Sequence, residues 1–156
     1  MIAVRVLCYL GSNLIAQVRE EDFCELTHLH NLFLEGNQLT EETIHPECFR
    51  CLTELIQLVL DSNQCQYVPE ALTTAERVPS LTTLSMISND LTFLLKGTFS
   101  DVTTLTSFGL GYNQFRFQQE HPFTNLRQLS TLNLASNQII VIPDTALHNL
   151  TSLNEL

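Results

Sequence analysis

One pattern of leucine and asparagine recurs along the chain and restricts what it can fold into. Apolar residues, mostly leucine, occupy its first, fourth, sixth and eleventh places, and asparagine occupies the ninth. A complete copy runs from Leu29 through Asn37 to Leu39. Successive asparagines are separated by 24, 26, 26, 24 and 24 residues, and they are Asn13, Asn37, Asn63, Asn89, Asn113 and Asn137. A fixed period of this length predicts a stack of similar structural units.

Each part of the pattern predicts a local structure. Alternate residues of a strand point to opposite faces, so the leucines of the L-x-L segment point inward and their neighbours outward. Stacked strands then form a parallel sheet in which each unit buries the leucines of the next. The asparagine follows the strand, where its amide can bond backbone groups that the turn would leave buried and unpaired. The six asparagines are therefore predicted to form a structural ladder.

The second half of each unit carries its own apolar pattern. Phe23, Leu26 and Leu29 show a spacing that recurs at Phe99 and Phe123. These residues predict an outer layer of short helical or 3-10 turns, with phenylalanine filling the space between this layer and the strands. Two units are longer, and in one of them residues 73–78 form an insertion. An insertion on the outer face leaves the sheet intact, so we interpret it as a surface loop rather than a binding loop.

These motifs resemble the repeats of extracellular leucine-rich-repeat proteins over nearly the whole chain. The resemblance implies an α/β fold: a right-handed, curved solenoid with a parallel sheet on its concave face and short helical or 3-10 turns and loops on its convex face. We expect a single array of about six repeats without caps. The approximate repeats are 5–28, 29–54, 55–80, 81–104, 105–128 and 129–152, with a partial one at 153–156.

A narrower resemblance rests on residues 37–91. The segments 37–49, 68–72 and 79–84 are similar to those of the small leucine-rich proteoglycans, podocan-like members in particular. This implies an extracellular, secreted or cell-surface glycoprotein that binds a matrix protein, a growth factor or a receptor. The family's cysteine caps are absent, so we expect a piece of a longer protein. A Toll-like receptor ectodomain is the alternative, and an intracellular repeat scaffold is the third possibility.

Composition narrows the range of partners. The net charge of −10 repels phosphate groups, so nucleic acid and anionic lipid are not expected partners. No apolar run approaches the roughly 18 residues of a membrane span, and Arg5 interrupts the apolar N-terminal residues that could suggest a signal peptide. No phosphate loop, H-E-x-x-H or G-x-S-x-G motif is present, so we expect neither an enzyme nor a cofactor.

Five cysteines leave at least one thiol unpaired. Cys24, Cys48 and Cys51 fall on the outer side of adjacent repeats, so Cys24 is predicted to bridge either Cys48 or Cys51. The alternative is three free thiols. A zinc site at Cys48 and Cys51 is not expected, because no second ligand pair has the usual spacing. Asn149 begins the sequon Asn-Leu-Thr, which predicts a possible glycan but also coincides with common repeat residues.

The outward-facing strand residues predict the binding surface. The N-terminal half of this face is apolar and acidic, and the C-terminal half is small and polar. An apolar anchor beside charge is typical of an interaction hot spot. The predicted partner-binding residues are Tyr9, Asn31, Phe33, Glu35, Gln57, Val59, Asp61 and Tyr112. The alternative is that these are ordinary solvent-facing strand residues.

Overall fold

Six short parallel strands form one sheet in a computed structural model that describes residues 6–95, 97–99, 101–118 and 121–156. The strands follow one another in chain order, as expected if each repeat adds its strand beside the preceding one. They are β1 (Val6–Tyr9), β2 (Leu29–Phe33), β3 (Gln57–Val59), β4 (Thr83–Ser85), β5 (Ser107–Gly109) and β6 (Thr131–Asn133). The predicted solenoid is confirmed. Arg5, the expected start of the first repeat, lies outside the described residues.

The register of the sheet aligns equivalent positions of successive repeats. Leu32 of β2 pairs with Leu58 of β3, and the same row continues through Leu84, Phe108 and Leu132. These five side chains are buried, whereas the residues on either side of them on each strand mostly remain partly exposed. The alternation of strand side chains therefore places the leucine row in the core and the variable residues on the concave face.

The chain leaves each strand through the same left-handed turn. The residue before each ladder asparagine has a φ between 53° and 64°, and these residues are Ser12, Gly36, Ser62, Ser88, Tyr112 and Ser136. A positive φ is uncommon for residues other than glycine, so the turn has a conformational cost at five of the six positions. The hydrogen bonds of the following asparagine hold the turn in place.

Asn63 illustrates the bonds of the asparagine ladder. Its Nδ2 donates to the carbonyl oxygen of Leu60 in its own repeat at 3.1 Å and to that of Leu34 in the preceding repeat at 3.0 Å. Its Oδ1 accepts from the backbone N–H of Leu39 at 3.0 Å. Each interior asparagine binds the preceding repeat in this way, and these are Asn37, Asn63, Asn89, Asn113 and Asn137. The ladder links the repeats where the strand hydrogen bonds end.

The outer layer packs on the sheet through phenylalanine. Phe23, Phe49, Phe99 and Phe123 are buried, and the rings of Phe23 and Phe49 stack with centroids 6.2 Å apart. Among the described residues, one 3-10 helix (Glu70–Leu72) is the whole helical content, and the remaining outer segments are turns. The convex face is therefore built of turns rather than helices.

The insertion at residues 73–78 is tied to the outer layer. Arg77 Nε donates to Glu47 Oε1 at 2.9 Å, and Arg77 Nη2 donates to Glu70 Oε1 at 3.2 Å. Val78, the last residue of the insertion, is buried in the core. The insertion is thus a packed strap across two repeats.

Candidate partner-binding face

Three rows of side chains line the concave face, and the strand register aligns each row across the six repeats. The first row contains Leu7, Asn31, Gln57, Thr83, Ser107 and Thr131. The second row contains Tyr9, Phe33, Val59, Ser85, Gly109 and Asn133. Backbone hydrogen bonds just beyond the strands align a third row of Gly11, Glu35, Asp61, Ile87, Gly111 and Ala135. We refer to these below as the concave rows.

Two aromatic rings dominate the N-terminal half of the face. Tyr9 and Phe33 stack nearly parallel, with ring centroids 4.6 Å apart and planes inclined by 9°. Tyr9 is 68% exposed, while Phe33 and its neighbour Val59 are half-buried. The structure therefore brings these three predicted residues together as an apolar surface open to a partner.

Two amides extend this surface along the first row. Asn31 is only 4% exposed, and its Nδ2 donates to Gln57 Oε1 at 2.6 Å. This bond fixes the orientation of the Asn31 amide. The Oδ1 atom of the same group is buried and has no hydrogen-bond partner among the described residues. Asn31 is thus a rigid, buried acceptor within the predicted site.

Two carboxylates flank the aromatic pair in the third row. Glu35 lies over Gly11, and its carboxylate occupies the space that a β-carbon at residue 11 would need. Glu35 Oε2 is buried without a hydrogen-bond partner among the described residues. Asp61 Oδ1 accepts from the backbone N–H of Ile87 at 2.9 Å, which fixes that carboxylate. This part of the face is therefore acidic beside its apolar centre.

Tyr112 lies apart from the other seven predicted residues. It follows β5, four strands from β1, which places it on the order of 20 Å from Tyr9 at the usual strand spacing. It is 63% exposed and occupies the left-handed turn position with a φ of 54°. Gly109 and Gly111 precede it, so the sheet beside it carries little side-chain bulk. The structure thus separates Tyr112 from the aromatic and acidic cluster.

Two residues of the site had no role assigned to them from the sequence. Gly11 leaves the space that the Glu35 carboxylate occupies, and Ile87 supplies the backbone N–H that holds Asp61. The signal for Gly11 is available in the repeat alignment, because a glycine there stands directly beside a glutamate in the next repeat. The backbone donor of Ile87 has no sequence signal, since every residue except proline carries one.

The cysteines divide into one disulfide and three thiols. Cys24 is bonded to Cys51, one of the two pairings that the sequence left open. Cys48 and Cys65 are fully buried, and Cys8 is partly exposed. Burial raises the pKa of the Cys65 thiol to about 12 and raises that of Cys48 well above its ordinary value. Both buried thiols therefore act as small core side chains.

The remaining candidate positions lie on other faces. His28 Nδ1 is 2.9 Å from Glu54 Oε1, and His30 Nε2 is 3.8 Å from Glu54 Oε2. Within the described part of the chain, no group of three or more His, Cys, Asp or Glu side chains is arranged to hold a metal ion. Asn149 is half-buried between turns of the last repeat. In the same described residues, no helix has the length and apolar character needed to span a membrane.

The fold and the repeated sequence define a leucine-rich-repeat solenoid. Residues 103–156 match the leucine-rich-repeat family. The FLRT2 leucine-rich repeats in an octameric complex with latrophilin 3 and Unc5D superpose with a TM-score of 0.84 over 97% of this chain and 45% of that chain, at 20% identity. The Arabidopsis receptor kinase HAESA, solved with the peptide hormone IDA and the co-receptor SERK1, gives a TM-score of 0.71 over 97% of this chain and 25% of that chain, at 26% identity.

Within this class, the chain is similar in sequence to small leucine-rich proteoglycans. Epiphycan of Gallus gallus is 35% identical over 82 residues, which are 53% of this chain and 23% of that protein. Keratocan of Mus musculus is 31% identical over 102 residues, or 65% of this chain and 28% of that protein. Podocan-like protein 1 of Mus musculus is 39% identical over 64 residues, or 41% of this chain and 11% of that protein. The matched part of the chain covers between 11% and 28% of the length of these relatives.

Proposed function

We propose that this chain is a non-enzymatic protein-binding module of an extracellular matrix or secreted leucine-rich-repeat protein. Its partner is a matrix protein, a growth factor or a receptor, and it binds to the N-terminal half of the concave face. The observation that carries the proposal is the stack of the exposed Tyr9 ring on the half-buried Phe33 ring, beside the Glu35 and Asp61 carboxylates. Tryptophan, tyrosine and arginine are enriched among the few residues that carry most of the binding energy at protein interfaces, so an exposed tyrosine is a candidate anchor.

The extracellular assignment is supported by two independent features. The chain is similar to small leucine-rich proteoglycans over about half to two thirds of its length. It also contains the Cys24–Cys51 disulfide, a bond that persists in oxidising compartments and is rare in the cytosol. The disulfide argues against the intracellular scaffold. A glycan on Asn149 would be consistent with secretion.

The test compares two double variants against a panel of collagen, growth factors and receptor ectodomains in a surface-binding assay. Phe33→Ala with Glu35→Ala removes an apolar and an acidic side chain from the concave face. Leu26→Ala with Glu25→Ala removes the same kinds of side chain from exposed positions of the outer side. We expect the first pair to abolish binding to the partner that the unaltered chain binds, and the second pair to leave the affinity unchanged. An unchanged affinity in the concave variant, with its fold intact by circular dichroism, would refute the proposal.

A receptor ectodomain is the second candidate function. The fold similarity to the receptor kinase HAESA over 97% of this chain favours it, and the repeat type alone does not separate it from a matrix protein. The genomic sequence on both sides of this segment distinguishes the two. A membrane span followed by a signalling domain would establish the receptor, whereas cysteine caps without a span would establish the matrix protein.

A further inference from the structure

Within the part of the chain that the structure describes, the carboxylates of the concave rows lack cationic partners. None of the residues in these rows is a lysine or an arginine. Arg50 pairs with Glu20 at 2.8 Å, and Arg77 pairs with Glu47 at 2.9 Å, both on the outer layer. Glu35 and Asp61 take part in none of the ion pairs of the described residues. The described residues therefore do not neutralise the negative charge of the concave face.

Two buried oxygen atoms on the same face lack hydrogen-bond donors. They are Asn31 Oδ1 and Glu35 Oε2. Because Nδ2 of Asn31 donates to Gln57 Oε1, the Oδ1 atom of Asn31 points away from that partner. A buried acceptor without a donor costs about 1 to 3 kcal/mol, and native structures leave few such groups unsatisfied. Within the described residues, both atoms remain free to accept a hydrogen bond from a bound partner.

The two acceptors lie on either side of the aromatic pair. Asn31, Phe33 and Glu35 occupy alternate positions of one chain segment, so all three side chains point to the concave face. Asn31 and Glu35 are about 13 Å apart along an extended chain, too far for a single side chain to bind both. An extended segment with donors at two positions spans this distance.

Arginine has the chemistry that this arrangement requires. Its planar guanidinium has five N–H donors, binds carboxylates in two-point contacts and stacks on aromatic rings. Lysine offers a point charge without a planar surface, and an acidic or phosphorylated segment would be repelled by Glu35 and Asp61. The site therefore favours a basic segment over a neutral or acidic one.

We propose that the concave surface formed by Tyr9, Asn31, Phe33, Glu35 and Asp61 receives an extended, arginine-bearing segment of the protein partner. A guanidinium binds the Glu35 and Asp61 carboxylates and packs against the Tyr9–Phe33 stack, and a second donor of the segment binds Asn31 Oδ1. This inference rests on the proposed function, because it specifies the chemistry of a partner at the same face.

The experiment uses the 156-residue chain, labelled with ¹⁵N, and an acetylated Gly-Arg-Gly-Arg-Gly peptide. The peptide in which glutamine replaces both arginines is the reference. We expect the arginine peptide to shift the amide signals of residues 7–12, 31–36 and 57–62, and the glutamine peptide to leave them unchanged. Absence of shifts at millimolar arginine peptide, or equal shifts with both peptides, would overturn the inference.

Two charge-matched variants separate a specific site from the overall negative charge. Glu35→Gln removes the concave carboxylate, and Glu25→Gln removes one exposed carboxylate from the outer side. We expect Glu35→Gln to weaken binding of the arginine peptide by about tenfold, since a charge-assisted hydrogen bond is lost. The Glu25→Gln protein should bind within about twofold of the unaltered chain, because exposed distant charges are screened by salt. Equal effects of the two variants would show that the peptide responds to the overall negative charge of the chain, and would overturn a specific site at Glu35.

Failure of this inference is distinguishable from failure of the proposed function. If the Phe33→Ala, Glu35→Ala variant loses its protein partner while the arginine peptide does not bind, the concave face binds proteins but not through a basic segment. If the arginine peptide binds at Glu35 while the protein partner is insensitive to that double variant, the basic site exists and the proposed function is wrong.

Discussion

Each ladder asparagine performs a task that no isosteric side chain can perform. Asn63 donates from Nδ2 to carbonyl oxygens of two repeats and accepts at Oδ1 from the Leu39 backbone. An aspartate of the same shape would place two acceptors against those carbonyl oxygens, and a leucine would satisfy neither group. The bonds also hold Ser62 in its left-handed conformation immediately before the asparagine. The need for a small group that both donates and accepts explains why asparagine occupies this position in all six repeats.

Truncating Asn63 should cost more stability than truncating Asn13. Asn63→Ala leaves the buried Leu39 N–H without a partner and removes one of the two amides that donate to the Leu34 carbonyl, which predicts a loss of about 1 to 3 kcal/mol in the free energy of unfolding. Asn13 is exposed and bonds only to carbonyl oxygens of its own repeat, so Asn13→Ala should cost less than about 1 kcal/mol. Urea unfolding followed by circular dichroism measures both. Equal losses would contradict the ladder as the link between repeats.

The buried thiols predict how stability depends on pH. The ordinary thiol pKa is 9.0, and burial raises that of Cys65 to about 12 and that of Cys48 also well above it. Above pH 9 the unfolded chain releases these protons while the folded chain retains them, so the free energy of unfolding should fall as the pH rises. The slope contributed by each thiol is about 1.4 kcal/mol per pH unit between the two pKa values.

Urea unfolding of the unaltered chain and of Cys65→Val, between pH 8 and 10.5, measures this contribution. The valine variant should lose the share of the slope that Cys65 supplies, because it has no proton to release. An identical dependence on pH in the two proteins would show that the Cys65 thiol ionises equally in the folded and unfolded chains.

The role of a single residue could be predicted from the sequence where the same residue recurs at the same place in each repeat. The asparagine ladder was predictable because its spacing and its neighbours recur six times. The close stacking of Tyr9 on Phe33 and the position of Glu35 over Gly11 were not, because each depends on side-chain rotamers set by a single pair of neighbouring repeats. The two orphaned oxygen atoms have no sequence signal for the same reason.

At the scale of elements, the strands and outer turns differ in how far the sequence determines them. The strands were located by the L-x-L segments, and each has the expected inward leucine row. The convex face was expected to consist of short helical or 3-10 turns and loops, and the described residues contain the 3-10 helix Glu70–Leu72 together with turns. About 13 residues must cross the convex face in each repeat, and turns span that distance without a complete helix.

The insertion at residues 73–78 was interpreted as a surface loop, and the structure shows a strap held by Arg77. The carboxylates it binds belong to Glu47 and Glu70, which lie 30 and 7 residues away in sequence. Contacts of one arginine with two carboxylates at such different distances along the sequence cannot be predicted from the local sequence pattern. They become visible only once the solenoid places adjacent outer segments side by side.

Arg77 should stabilise the chain more than Arg50 does. Arg77 has a side chain only 18% exposed and binds two carboxylates, whereas Arg50 is 46% exposed and binds Glu20 alone. Arg77→Met should lower the free energy of unfolding by about 1 kcal/mol, and Arg50→Met by less than about 0.5 kcal/mol. Thermal unfolding at low and at 0.5 M added salt tests the pair. Identical melting temperatures for the two variants would contradict a structural role for the strap.

At the scale of the whole molecule, the residues that recur in each repeat and the residues proposed to bind a partner lie in different places. The inward residues and the asparagines recur in every repeat and build one continuous core. The concave rows change from repeat to repeat, from aromatic and acidic residues at β1 to β3 to serine, glycine and asparagine at β4 to β6. Because the concave rows contain no lysine or arginine, this face is negative and partly aromatic at one end of the sheet.

The repeat architecture could therefore be predicted from the sequence, whereas the identity of the ligand cannot be predicted from that architecture. A solenoid of one shape binds unrelated partners, and the discriminating residues occur once each in the array. Tyr112 shows the consequence, since its type fitted the predicted surface but its position in the stack places it four strands away.

Hydroxyl-radical footprinting of the complex with the protein partner tests the central claim most directly. Tyr9 and Tyr112 are the same residue type with similar exposures of 68% and 63%, and they lie four strands apart along the sheet. Binding at the N-terminal half should lower the oxidation rate of Tyr9 severalfold and leave that of Tyr112 and of Leu26 on the outer side unchanged. An unchanged oxidation rate of Tyr9 in the saturated complex would contradict the account.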